Sequence, residues 1–278
     1  MKGLPYNFLV TKMSISIQGR HYQAIIFDVD DTLIDTSRSY DVAIVSTVKH
    51  FTQVDIEPRD LNLVRTKGIA YGVNNDWHVT WLLIELSKHF SREHWETVLV
   101  DRKLPEIDQA TPDFVNMQAF FQGIYLGYPP FNGKGLIDTA EKRLYSADFF
   151  PILQRLGVQI AVVTSRPSAE ARYTLDTVNG LLGKFIPSEA FIISAGSRDS
   201  NGGLIPEKPS PQPIWECVKR LHVTPQQCIY VGNSLSDYLA AKRALVDFVQ
   251  VGTSYIERDH EPVTFSYYHV VKVNELLD

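Results

Sequence analysis

The sequence is poor in cysteine: the two residues present, Cys217 and Cys228, follow no spacing suited to a disulfide framework or a zinc site. They are expected as small buried apolar groups in a reducing compartment. Long apolar runs are also missing, and none approaches the roughly 20 residues of a membrane-spanning helix. No block of basic residues occurs; the formal charge of −5 comes from interspersed acids and bases. That pattern argues against nucleic acid and an anionic membrane surface as main partners and leaves a small ligand in a local pocket. The eight histidines show no metal-ligand spacing, and there is no internal repeat. The segment before Gln23, MKGLPYNFLVTKMSISIQGRHY, has an apolar patch interrupted by Lys12 and no small-residue cleavage site. It reads as an extension, or as an early start upstream of Met13, rather than as a signal peptide, and a cytoplasmic location is expected.

What is present is an ordinary globular composition, 44% hydrophobic over 278 residues, enough for one large domain and a smaller one. From residue 145 onward helical and strand patterns alternate over short connections. DFFPILQRLG reads as a helix, VQIAVVT as a buried strand, and SAEARYTLDTVNGLLG as a helix begun at Ser168. AFIIS follows as a strand, then SPQPIWECVKRLH as a helix with Ser210 as N-cap and Pro211 at its first position. QCIYVG, SLSDYLAAKRAL and DFVQVG complete the series. Apolar strands alternating with helices predict an α/β fold with a doubly wound parallel sheet. The apolar run Ala24 to Phe27 is another strand of that sheet. Residues 38–140 show only helical spacings, such as Val42, Val45 and Val48, or Phe114, Phe121 and Ile124, and so predict an all-helical insertion. The expected division is an N-terminal extension at 1–22, a core at 23–37 and 141–278, and a helical domain at 38–140.

Four aspartates crowd into eight residues, 28–35, where the first strand ends, in AIIFDVDDTLIDTS. Carboxylates at that range repel, so a cation is expected among them. In doubly wound sheets the ligand lies beyond the carboxyl ends of the strands. Four such ends carry polar groups: Asp28-Val29-Asp30-Asp31-Thr32, Thr164-Ser165-Arg166-Pro167, the loop reaching Glu207-Lys208-Pro209, and Gly232-Asn233-Ser234-Leu235-Ser236-Asp237.

This ordered set resembles the haloacid dehalogenase superfamily of phosphohydrolases, in particular the subfamily with a helical cap inserted after the first motif, which includes phosphoglycolate phosphatases and β-phosphoglucomutases. The resemblance covers residues 23 to 252 and implies a Rossmann-like core with the cap at 38–140. It implies that Asp28 is a nucleophile forming an aspartyl-phosphate and that Asp30 is the general acid/base. Relatives that displace halide lack an acid at that place, so Asp30 favours phosphate esters. Thr164, Ser165 and Lys208 are implied to hold the phosphoryl oxygens. Mg²⁺ is implied as cofactor, bound by Asp28, the Val29–Asp30 backbone region, and Asp237 with Asn233 near it. Here the sequence departs from the family: Asn233 replaces the usual first acid of the fourth motif, and weaker metal binding is expected. Arg65 and Lys67, in a Gly-punctuated basic stretch of the cap, are candidates for substrate choice. Asp31 stands where many relatives have Gly, so turn formation accounts for it, and Asp35 reads as part of a helix N-terminus. Arg166 is balanced between a phosphate contact and an exposed loop residue.

The expected function is a Mg²⁺-dependent phosphatase of a small phosphorylated metabolite, with phosphoglycolate first and phosphorylated sugars or amino alcohols next. A phosphomutase shares every motif. The alternative from another class is a binding or regulatory protein that kept the fold and lost turnover, for which Asn233 is the support.

Overall fold

The computed structural model describes residues 14–71, 73, 75–253, 256 and 265–277. Expectations for residues 1–13 lie outside these. The chain divides into two compact units, Met1–Asp35 with Arg143–Asp278, and Thr36–Lys142.

The first unit opens with a hairpin, β1 (Ile15–Ile17) and β2 (Arg20–Tyr22), paired antiparallel. Its turn residues Gln18 and Gly19 both have positive φ, 46° and 82°, as a two-residue hairpin turn matched to strand twist requires. Ile15, Ile17 and Tyr22 are buried in the main core, so residues 15–22 are an integral part of this unit. Asp247 anchors the hairpin: it accepts hydrogen bonds from the Tyr22 hydroxyl at 2.7 Å and from Arg20 Nη1 at 2.9 Å.

The strands that follow are β3 (Ala24–Phe27), the two-residue β4 (Ile34–Asp35) and β5 (Lys142–Arg143), then β6 (Gln159–Pro167), β7 (Ile192–Ala195), β8 (Cys228–Gly232), β9 (Asp247–Val251) and β10 (Tyr267–Val270). Six of them form one parallel sheet in the order β10-β9-β8-β3-β6-β7. β3 is central and all four of its residues are buried, as both faces of a parallel sheet are covered. Ile25 and Phe27 point into one core with Phe149 and Phe150; Ala24 and Ile26 point into the other with Ile214, Cys217 and Tyr238. These covering residues lie on α7 (Phe149–Arg155), α9 (Gln212–Arg220) and α10 (Leu235–Ala244). The fold is the doubly wound α/β core that the sequence pattern implies. Both cysteines are free and buried within it, and burial pushes the Cys228 thiol up to about 12.

The second unit holds α1 (Tyr40–Thr52), α2 (Pro58–Lys67), α3 (Asp76–His89), α4 (Trp95–Val100), α5 (Pro112–Leu126) and α6 (Leu136–Thr139). α1 packs against α3 and α5 around Ile44, Val48, Leu83, Phe114 and Phe121. Val42 faces outward instead, because α1 turns Ala43, Ile44 and Val48 inward. Among the described residues no helix is long and apolar enough to cross a membrane.

Local differences from the sequence pattern have physical reasons. Asp35 lies in β4, and α1 begins only at Tyr40 with Ser39 as N-cap. α9 begins at Gln212, one residue later than expected, so Pro211 occupies the cap position; Ser210 still accepts from the Gln212 amide through its hydroxyl. The expected helix from Ser168 is interrupted: α8 (Ser168–Arg172) runs into a π-helical turn over Tyr173–Val178. β6 continues past Thr164 to Pro167 through a register shift between Val163 and Pro167.

Candidate active site

The loop after β3 is wound around one carbonyl. The amides of Thr32, Leu33 and Ile34 all donate to Val29 O, at 3.3, 2.9 and 3.0 Å. Asp31 takes the left-handed conformation (φ 52°), which its short polar side chain tolerates, so the turn is made without glycine. This winding sets Asp28 and Asp30 at the carboxyl edge of the sheet. The Asp28 amide continues the β3 ladder by donating to Val231 O at 2.8 Å.

Asp28 is buried, and Lys208 Nζ donates to its Oδ1 at 2.7 Å. The same ammonium donates to Asp237 Oδ1 at 2.6 Å. Lys208 thus stands between two buried carboxylates, the cation that the crowded acids required. Burial and the neighbouring Asp237 push the Asp28 carboxyl up to about 8; Asp30 adds to this and Lys208 opposes it. Burial would lower the Lys208 ammonium, but Asp237 and Asp28 outweigh it and raise its pKa. For Asp237 burial acts upward, and Lys208 with the Ser234 hydrogen bonds outweighs it, holding the group below its ordinary value.

Asp237 has both oxygens occupied. Its Oδ1 accepts from Lys208 and from the Tyr230 hydroxyl at 3.0 Å, and its Oδ2 from the amides of Asn233 and Ser234 and from Ser234 Oγ. Ser234 and Asp237 form the capping box of α10, with Ser234 Oγ accepting from the Asp237 amide. Gly232 permits this approach: a Cβ there would lie 2.6 Å from Asp237 Cγ. Asp237, expected among the metal-binding residues, here accepts from the ammonium and caps a helix N-terminus. Asn233, by contrast, is half-buried, and its side-chain amide has no hydrogen-bond partner among the described residues.

Thr164 is buried at the β6 irregularity, where its hydroxyl accepts from the Arg166 amide at 3.2 Å. Thr164 and Lys208 line one small pocket together with Ser194 and Glu207, while Ser165 points to solvent. Arg166 is neither an exposed loop residue nor a free phosphate ligand. It is 2% exposed, and its Nε and Nη2 both bind Asp30 Oδ1, at 2.7 and 2.6 Å. Arg65 and Lys67 lie in the helical unit with acids of their own. Arg65 Nη2 meets Asp41 at 2.6 Å and Asp76 at 3.2 Å, and Lys67 lies 3.5 Å from Glu96.

Among the described residues no three His, Cys, Asp or Glu side chains converge as a metal cluster. A hard cation nevertheless suits the site. Asp28 Oδ2 and the Asn233 amide oxygen have no protein partner among the described residues, and oxygens of this kind are what Mg²⁺ takes together with a substrate phosphate.

Tyr230 and the Asp30 partnership of Arg166 were not singled out from sequence. Their signals are a hydroxyl within the apolar strand CIYVG, which needs a buried partner, and a cation directly after Thr164-Ser165 at a strand end among carboxylates.

The chain is 26% identical over 222 residues to an imidazoleglycerol-phosphate dehydratase of Phytophthora nicotianae, a match covering 80% of this chain but only 41% of that protein. It is 24% identical over 233 residues to a phosphoglycolate phosphatase of Colwellia psychrerythraea, covering 84% of each. Its fold is similar to that of phosphatase Tt82 from Thermococcus thioreducens, with a TM-score of 0.59, 20% identity, and coverage of 91% of this chain and 96% of the other. A sequence profile of haloacid dehalogenase-like hydrolases matches residues 22–244, and the chain belongs to that family.

Proposed function

We propose that the chain is a phosphatase that hydrolyses a phosphate monoester of a small metabolite through an aspartyl-phosphate on Asp28. The observation that carries this reading is the buried Asp28 carboxylate, held on Oδ1 by Lys208, with Asp30 two residues on at the same sheet edge. A carboxylate oxygen of Asp28 attacks phosphorus. The ester P–O bond breaks and Asp30 gives its proton to the leaving oxygen. Asp30 then takes a proton from the water that attacks the phospho-Asp28 phosphorus, which frees the carboxylate and inorganic phosphate. Lys208 and Thr164 hold the phosphoryl oxygens where charge spreads in the transition state. Asp237 and Tyr230 keep the ammonium in place. Asp28, the main chain near Asp30 and the Asn233 amide would hold Mg²⁺, which when bound supplies positive charge over the phosphoryl oxygens.

Phosphoglycolate is the first substrate to test, since the Colwellia relative bears that activity in its name. The match to an imidazoleglycerol-phosphate dehydratase adds imidazole-bearing phosphate esters to the panel, beside phosphorylated sugars and amino alcohols. Arg65 and Lys67 are proposed to act in substrate choice, not in phosphoryl chemistry. The test is phosphate release from this panel, with and without Mg²⁺, by the parent and by Asp28→Asn, which keeps size and removes the nucleophile. Undiminished release by the variant would overturn the reading.

A further inference from the structure

We infer that Arg166 is the positioning residue of Asp30, fixing which of its two oxygens handles the proton. The inference rests on the reading of Asp30 as general acid/base and names a residue that reading does not require.

The geometry is specific. Two donors of one guanidinium, Nε and Nη2, converge on Oδ1 alone, at 2.7 and 2.6 Å. A guanidinium has only N–H groups, so an oxygen facing two of them accepts and cannot itself carry a proton toward them. The proton of the acid form therefore resides on Oδ2, which has no protein partner among the described residues. Oδ2–H is the bond that breaks as the leaving oxygen is protonated, and Oδ2 is the atom that later accepts the proton of water. Oδ1 stays paired throughout, and the carboxyl group keeps one orientation across both half-reactions.

The anchor of this grip is built into the fold. The Arg166 side chain is fully buried, whereas the Asp30 side chain keeps 30% exposure, so the rigid partner is the arginine. Its third nitrogen, Nη1, donates to Thr174 Oγ1 at 2.5 Å. Thr174 lies in the π-helical turn Tyr173–Val178, whose wider winding turns a threonine hydroxyl toward β6; such turns are rare and recur at functional sites. Asn179 Nδ2 donates to Thr174 O at 2.7 Å and stiffens the turn. At the other end, the β6 irregularity sends Arg166 inward while its neighbour Ser165 points out. A bulged strand end, an interrupted helix and a buried fork thus serve one carboxylate oxygen.

The test is a double-substitution cycle on phosphate release, read as kcat and KM separately. The parent and Asp30→Asn are measured first, and a strong loss in Asp30→Asn establishes the acid/base role on which the inference rests. Arg166→Lys, which keeps the charge but cannot fork, is then expected to lower kcat about 10²-fold on alkyl phosphate monoesters. KM should stay within about threefold, and p-nitrophenyl phosphate, whose leaving group needs little protonation, should lose far less. Thr174→Val, which removes only the far anchor, is expected to give the same pattern more weakly, and it carries the test if Arg166→Lys fails to fold. In the Asp30→Asn background either change should cost less than about twofold. Equal losses in both backgrounds, equal losses for good and poor leaving groups, or a loss confined to KM would overturn the inference while leaving the phosphatase reading intact. Full activity in Asp30→Asn would instead remove the reading beneath it.

Discussion

The ammonium of Lys208 lies 2.7 Å from Asp28 Oδ1 and 2.6 Å from Asp237 Oδ1, joining residues 180 and 29 positions away in the sequence. All three side chains are buried, at 5%, 7% and 0% exposure. A buried pair contributes little relative to an apolar replacement of the whole cluster, but removing one partner leaves charge uncompensated. Lys208→Met is therefore expected to destabilise the protein by about 3–5 kcal/mol at pH 8, where the two remaining carboxylates repel. The loss should be smaller at pH 5, where Asp28 can take up a proton. Denaturant melts at both values check it, and a loss independent of pH would contradict the electrostatic account.

Asp28 should show the opposite sign. Its pKa is raised to about 8 in the folded chain, by burial first and Asp237 second, so the folded state holds a proton that the unfolded state releases near pH 4. Its favourable contribution is present below about pH 4 and is lost as pH rises through 8. Asp28→Asn removes this penalty. In metal-free buffer the variant is expected to melt at the same temperature as the parent near pH 4 and a few degrees higher at pH 8, while its turnover falls to background. Melting curves across that window, with phosphate release alongside, give both readouts; a gain that is largest at low pH would refute the assignment.

Gly232 offers a test of the support behind the site. Its Cα lies so close to Asp237 that a Cβ would be 2.6 Å from the carboxyl carbon and 2.7 Å from Asp237 Cβ, both near the rigid start of α10. Gly232→Ala is expected to cost about 1–3 kcal/mol through overpacking and to lower kcat by displacing Asp237 from Lys208. A thermal melt and a kinetic assay of this one variant suffice, and unchanged values in both would show that the capping box shifts freely.

The sheet was legible because its strands are short apolar runs between helix signals. Cys228–Gly232 and Asp247–Val251 are buried on both faces and read that way in the sequence. The hairpin at residues 15–22 was missed because ISIQGRHY alternates only over three residues on each side of a Gln-Gly turn. The capping box Ser234-x-x-Asp237 is visible as spacing, but the bonds of its carboxylate to Lys208 and Tyr230 are not, since spacing does not say which lone pairs a fold consumes. Arg166 was undecided for a related reason. Whether a strand-end arginine turns inward depends on a bulge and on a π-helical turn, and neither follows from hydrophobic periodicity.

Arg65 and Lys67 stand at the C-terminal end of α2, and Arg65 is held between Asp41 and Asp76. Burial would lower its pKa, but those two acids outweigh it and raise it, so the guanidinium stays charged. Arg65→Ala or Lys67→Ala is expected to raise KM or reorder substrates several-fold while leaving p-nitrophenyl phosphate hydrolysis nearly unchanged. Equal losses on every substrate would show that the two residues support the helical unit instead.

The last expectation concerns Asn233. Its backbone amide is tied to Asp237 Oδ2 at 3.2 Å, which fixes the residue, while its side-chain amide is left without a protein partner among the described residues. That combination suits an oxygen offered to a cation. An amide offers a dipole where a carboxylate offers a full charge, so metal affinity in the free protein should be modest and should rise once a substrate phosphate adds its own charge. Asn233→Asp restores a carboxylate next to Asp28, and with Asp237 already neutralised by Lys208 the added charge has no cation of its own. It is therefore expected to lower the Mg²⁺ concentration needed for half-maximal phosphate release and, in the absence of metal, to lower the melting temperature by increasing repulsion at the strand ends. Titration calorimetry with Mg²⁺ on both proteins, together with melts in chelator, separates the two effects. Unchanged or weaker binding by the variant would show that Asn233 does not face the cation.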